Sequence, residues 1–172
     1  MADPQPPVPA VSDAIPEAID GEQEAPAAAP AVRELVSYLG FFLGAEVYGL
    51  PLRQLREVAR LKHLRSIPGA PPNVAGLMNL RGEIVCALDV RAMLGLSGQE
   101  TVDSAFLLAL RGFEDPLGLV VDSIADIYSV DPAQIEPPPA TWPAERAECL
   151  AGTARVPEGL MGLLDLDRIL KK

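Results

Sequence analysis

The chain has 172 residues, 49% hydrophobic but only 5% aromatic, which is enough to bury a core built from Leu, Val, Ile and Ala. A formal net charge of −10 excludes a nucleic-acid binder that works by neutralising phosphates. The two cysteines, Cys86 and Cys149, have no metal-ligand spacing, so neither a metal nor another cofactor is predicted.

Residues 1–34 hold seven of the 18 prolines and seven of the 24 acidic residues against one base, Arg33. Ala-Pro runs such as Ala25-Pro26-Ala27-Ala28-Ala29-Pro30 bury too little side chain to offset ordering entropy. A disordered acidic leader is predicted, acting as a solvated spacer or a tether. It lacks the basic start and apolar stretch of a signal peptide, and no apolar run reaches the ~18 residues of a membrane span. The expectation is a cytoplasmic protein without direct membrane insertion.

The folded body is predicted to begin at Leu35. Val36 to Leu43 and Val47 to Pro51 flank Gly44-Ala45-Glu46 as a β-hairpin. Leu52, Leu55 and Val58 recur every three residues, an amphipathic turn with Arg53, Gln54, Arg56 and Glu57 on its polar side. The basic run Arg60, Lys62, His63 and Arg65 reads either as a contact for an acidic partner or as a solvated edge, and His63 has no second ligand. Prolines at 68, 71 and 72 stiffen the loop into Gly76 to Asp89. There Arg81 sits in a glycine-flanked loop before a strand at Ile84 to Leu88, with Asp89 capping a short turn through Leu94. That placement suits recognition, although spacing alone favours an ordinary surface arginine at a turn. After a polar stretch to Asp103, strands are predicted at Ser104 to Leu110 and Leu117 to Asp122. An extended run through Ile124, Ile127, Tyr128 and Val130 follows, and Asp131-Pro132 breaks it.

The body also repeats itself. Leu88-Asp89-Val90-Arg91-Ala92-Met93-Leu94 returns as Leu164-Asp165-Leu166-Asp167-Arg168-Ile169-Leu170, and Val74-Ala75-Gly76 as Leu150-Ala151-Gly152. Upstream, Gly49, Leu50, Leu52, Leu55, Glu57 and Val58 match Gly118, Leu119, Val121, Ile124, Asp126 and Ile127. Two related β-rich units, about 35–103 and 104–170, are therefore predicted to pack over a shared aliphatic core. Pseudo-symmetry could bring Leu55 and Val58 opposite Ile124 and Ile127 across an apolar cleft edged by Glu57, Asp126 and Arg81, suited to an amphipathic helix; core packing is the competing reading for the four aliphatic residues.

No phosphate loop, GxGxxG, HExxH or GxSxG motif occurs. The enzyme alternative is a carboxylate-dependent hydrolase of paired β-units, led by Val120-Val121-Asp122-Ser123. Ile124 stands where such a site needs glycine, and the counterpart of Asp122 is Arg53, so no catalysis is predicted.

Residues 35–170 resemble the CheW family of chemotaxis coupling proteins. The resemblance rests on Tyr48-Gly49-Leu50-Pro51, Leu55-x-Glu57-Val58, Ile67-Pro68, Gly76-Leu77-Met78-Asn79-Leu80-Arg81-Gly82, Leu88-Asp89, Gly118-Leu119-Val120-Val121-Asp122 and Leu164-Asp165. It implies an all-β fold with short helices, two SH3-like five-stranded β-barrels packed on a common hydrophobic core. It implies a non-enzymatic scaffold that couples the cytoplasmic tips of chemoreceptors to the regulatory domain of a CheA-type histidine kinase within receptor arrays, with other CheW-like domains as further partners. By motif, Leu55, Glu57, Val58, Arg81, Ile124 and Ile127 would form the receptor-binding groove. The leader, and Cys86 where the family often has proline, depart from that pattern.

Overall fold

The structure is a computed structural model and describes residues 34–97 and 104–171; the predicted leader and part of the polar stretch before Ser104 lie outside them. Residues 35–172 form one unit. Among the described residues ten strands follow in order: β1 Val36–Leu43, β2 Glu46–Pro51, β3 Leu55–Arg60, β4 Val74–Leu80, β5 Glu83–Asp89, β6 Phe106–Leu110, β7 Leu117–Val121, β8 Ser123–Val130, β9 Leu150–Val156 and β10 Gly159–Leu164. The described residues also form three short α-helices, α1 Val90–Met93, α2 Ala144–Ala147 and α3 Leu166–Ile169, and two 3-10 turns, Leu52–Gln54 and Pro132–Gln134.

The strands form two five-stranded sheets, ordered β9-β10-β2-β1-β8 and β3-β6-β7-β5-β4. Advancing each strand number by five turns one order into the other, so the sequence repeat is a structural repeat of β1–β5 and β6–β10. The register agrees as well. Gly49 pairs in parallel with Leu163, and its counterpart Gly118 pairs in parallel with Ala87. Bulges fall between Val74 and Gly76 in one copy and between Leu150 and Gly152 in the other. Asp89 caps α1 by accepting from the Arg91 and Ala92 amides, and Asp165 caps α3 by accepting from the Arg168 amide.

Each repeat nevertheless fails to close its own sheet. The hairpin β1–β2 joins β8, β9 and β10, while β6–β7 joins β3, β4 and β5. The two copies, β1–β5 and β6–β10, thus each contribute strands to both sheets. Both sheets curl shut by the same device. The chain leaving β3 bridges β4 through Arg65 and Leu77, and the chain leaving β8 bridges β9 through Glu136 and Thr153. A Cβ on Gly76 would lie 2.3 Å from the Arg65 carbonyl oxygen, and one on Gly152 would lie 2.9 Å from that of Glu136. Glycine is required wherever the crossing backbone comes this near.

Packing follows from closure. Met78, Leu80, Val85, Ala87 and Leu107 fill the second barrel, whereas Tyr38, Val47, Met161 and Leu163 fill the first. A third cluster lies between the sheets and draws Phe41, Tyr48 and Leu150 from one and Leu108, Leu119 and Val121 from the other. Full burial of each such side chain contributes about 1.5–3 kcal/mol, so the barrels stabilise one another.

The predicted amphipathic turn at 52–58 is a correction. Only Leu52–Gln54 is helical, a single 3-10 turn, and Leu55–Arg60 is a strand. Alternation rules there: Leu55, Glu57 and Ala59 are half-buried while Arg56, Val58 and Arg60 are exposed, and a charged residue at an inward position with an apolar one at an outward position disguises the period of two.

Candidate functional site

The β4–β5 hairpin turns through two residues, Arg81 and Gly82, both at positive φ (53° and 88°). This is the turn geometry whose twist matches paired strands, and it ordinarily selects Asn-Gly or Gly-Gly. Asn79 steadies it by accepting the Gly82 amide at 2.8 Å. An arginine in the left-handed region costs about 1–2 kcal/mol, so the position holds a cation at the expense of stability.

The Arg81 side chain is 80% exposed, yet its Nε donates to Glu57 Oε1 at 2.9 Å. Glu57 belongs to β3, at the opposite edge of the same sheet. A second pair crosses beside it, Arg56 Nη1 to Glu83 Oε1 at 2.8 Å. Exposed pairs contribute only about 0–1 kcal/mol, so their effect is mainly orientation. With Nε engaged, the four remaining guanidinium N–H groups of Arg81 have no protein acceptor among the described residues.

Glu57 and Arg81 are thus brought together. Leu55 and Ile124, equivalent in the repeat, both pack against the cluster between the sheets. Val58 and Ile127 are exposed apolar side chains, 38% and 54% accessible, one on β3 and the other on β8. Those two strands lie in different sheets and share no ladder. The repeat is asymmetric in charge here, because Pro157 stands at the place of Arg81 in the β9–β10 turn.

Asp122 has a structural setting. Its carboxylate accepts from Arg91 Nε at 3.3 Å and from Arg91 Nη2, and also takes the Gly44 amide at 2.6 Å. This clamp ties the β1–β2 turn to α1. It spans 31 residues of sequence with no motif to announce it. Among the described residues no group of His, Cys, Asp and Glu side chains could hold a metal ion. No helix among them is long and apolar enough to cross a membrane.

The family model for the CheW-like domain matches residues 37–172. The chain belongs to the CheW-like family. Curated relatives include the chemotaxis protein CheW of Klebsiella aerogenes, 29% identical over 133 residues that cover 77% of this chain and 80% of that protein. The chemotaxis protein CheW of Treponema pallidum is 28% identical over 135 residues, covering 75% and 78%. In fold, the chain is similar to the scaffolding protein TtCheW from Thermoanaerobacter tengcongensis, with a TM-score of 0.68 at 24% identity over 77% of this chain and 86% of that one. CheW-like proteins are non-enzymatic adaptors in chemotaxis signalling, so the hydrolase alternative falls and the chain is an adaptor of that kind.

Proposed function

We propose that this adaptor joins the cytoplasmic tip of a chemoreceptor to the regulatory domain of a CheA-type histidine kinase, and that it is recruited to receptor arrays through those contacts, with other CheW-like domains as further neighbours. In this reading a receptor helix lies along Leu55, Val58, Ile124 and Ile127 and takes hydrogen bonds from Arg81, which Glu57 orients. The observation that carries the reading is Arg81 itself, an exposed cation held in a costly backbone conformation and fixed by a carboxylate from a strand it does not pair with. Exposed Val58 and Ile127 supply apolar anchors that an amphipathic helix can cover.

The test is titration calorimetry of the full chain against a receptor-tip helical hairpin. Arg81→Ala should weaken binding at least tenfold while the circular dichroism spectrum stays unchanged. Binding that is unaltered by Arg81→Ala and by Val58→Glu would remove the groove from the receptor contact.

A further inference from the structure

Among the described residues the second barrel is closed by the Arg65–Leu77 bridge at one end and by the Arg81–Glu57 and Arg56–Glu83 pairs at the other. Between them β3 and β4 share no ladder, and a seam of about 860 Å³ opens. Leu77 exchanges both main-chain hydrogen bonds with Arg65, so the main-chain groups of Asn79, two residues on, face the same way into the seam. On the other edge the Leu61 amide donates to Ala105, which turns the main-chain groups of Arg60 and Lys62 towards the seam. Apolar Met78, Leu80 and Ala59 line its inner side.

Its outer rim is basic in a chain of net charge −10, carrying Arg60, Lys62, His63 and Arg65. Lys62, His63 and Arg65 form no ion pair with any described residue, and Arg60 lies over the Phe106 ring at 5.2 Å. The equivalent seam of the first barrel, about 610 Å³, has Arg155 paired with Glu136 at 3.7 Å. Unpaired positive charge distinguishes the second seam.

We propose that this seam binds an extended acidic peptide with apolar residues at alternate positions, which adds to the sheet as a strand. Side chains of a strand point alternately to either face, so the apolar set would meet Met78 and Leu80 while the acidic set meets Arg60, Lys62 and Arg65. Main-chain groups of the peptide would pair with those of Asn79 on one edge and Arg60 and Lys62 on the other. The acidic partner considered for the basic run thereby acquires a conformation as well as a charge.

The test is fluorescence anisotropy of the full chain with a labelled eight-residue peptide of alternating Val and Glu. Binding is expected, weakening as salt rises. The double variant Arg60→Glu, Arg65→Glu should lose at least tenfold in affinity, and so should the exposed single change Lys62→Glu by a smaller factor. A fully N-methylated peptide keeps its side chains but cannot donate main-chain hydrogen bonds, and it should also lose at least tenfold. No binding at millimolar peptide, or affinity indifferent to N-methylation or to charge reversal, would overturn the proposal. So would sedimentation showing that a second copy of the chain fills the seam, as a dimer that Arg65→Glu abolishes. Arg81 lines this seam as well as edging the proposed helix groove, so receptor-tip binding is measured on the same variants: Arg60, Lys62 and Arg65 line the seam alone, and changing them should leave receptor binding intact.

Discussion

Arg81 and Glu57 meet across the open edge of a sheet, 24 residues apart in sequence and on strands that share no ladder, with the guanidinium Nε 2.9 Å from the carboxylate. The cation therefore reports the curvature of the whole barrel: were the sheet flatter, its two edges could not be joined by one side chain.

The first prediction concerns the cost of that arrangement. Asn tolerates the left-handed region far better than Arg. Arg81→Asn is expected to raise unfolding stability by up to about 1 kcal/mol, even after an exposed ion pair is lost, while receptor-tip binding falls. Urea denaturation and a pull-down on the same preparation check both halves. A variant destabilised by more than that amount would show the backbone conformation to be unstrained.

Gly76 and Gly152 give a paired prediction. A methyl at Gly76 would meet the Arg65 carbonyl oxygen at 2.3 Å and sit at φ +151°; at Gly152 it would meet the Ile135 side chain at 2.4 Å and the Glu136 carbonyl oxygen at 2.9 Å. Gly76→Ala should cost about 3 kcal/mol or more and Gly152→Ala somewhat less, because a side chain gives way more readily than a main chain. Gly112, at φ +91° with nothing near, isolates the conformational part; there Ala should cost only about 1 kcal/mol. Thermal melts of the three variants rank them.

The Arg91–Asp122 clamp is largely buried, with side chains 12% and 16% exposed. Asp122→Asn removes the charge that Arg91 faces and also weakens the bond to the Gly44 amide. The expected loss is about 2–4 kcal/mol, insensitive to salt up to 0.5 M, unlike that of a surface pair. Double-mutant cycles with Arg91→Gln should return a coupling above about 1 kcal/mol.

Tyr48 is fully buried, and its hydroxyl finds no partner among the described residues. Burial, helped by Glu46, pushes its pKa up to about 12 from 10.0. The neutral phenol is favoured in the folded state, so its contribution is fully present below pH 10 and is lost as pH rises towards 12, by at most about 2–3 kcal/mol. The pKa of the half-buried Tyr128 is also raised to about 12, by burial and then by its hydrogen bond to Glu158, but its contact with solvent screens the contribution. Tyr48→Phe should be neutral or stabilising at pH 7 and should flatten the fall in melting temperature between pH 10 and 12.

Much of this was legible in the residues because the repeat is written in them. Leu88-Asp89 and Leu164-Asp165 mark two capped turns, and the glycines at 76 and 152 mark two strand crossings. What the residues do not declare is which copy a strand pairs with. Equivalent strands carry equivalent patterns, so β1–β2 reads as compatible with its own repeat or with the other, and only the packed core decides. The strand Leu55–Arg60 was obscured because Leu52, Leu55 and Val58 happen to fall at helical spacing. The resemblance already implied Glu57 and Arg81 as a charged pair in which the carboxylate orients the guanidinium; what the residues did not show is that the pair joins the two edges of one sheet.

The exchange of hairpins carries a consequence for ancestry. A half-length chain with one hairpin and three further strands could complete a barrel only by borrowing the hairpin of an identical twin, which would yield a symmetric dimer. Within one polypeptide the two halves need not match, and Pro157 stands at the place of Arg81. Two like faces would accept a helical ligand either way round; in the groove proposed above, a cation at one of the two equivalent turns would tell head from tail.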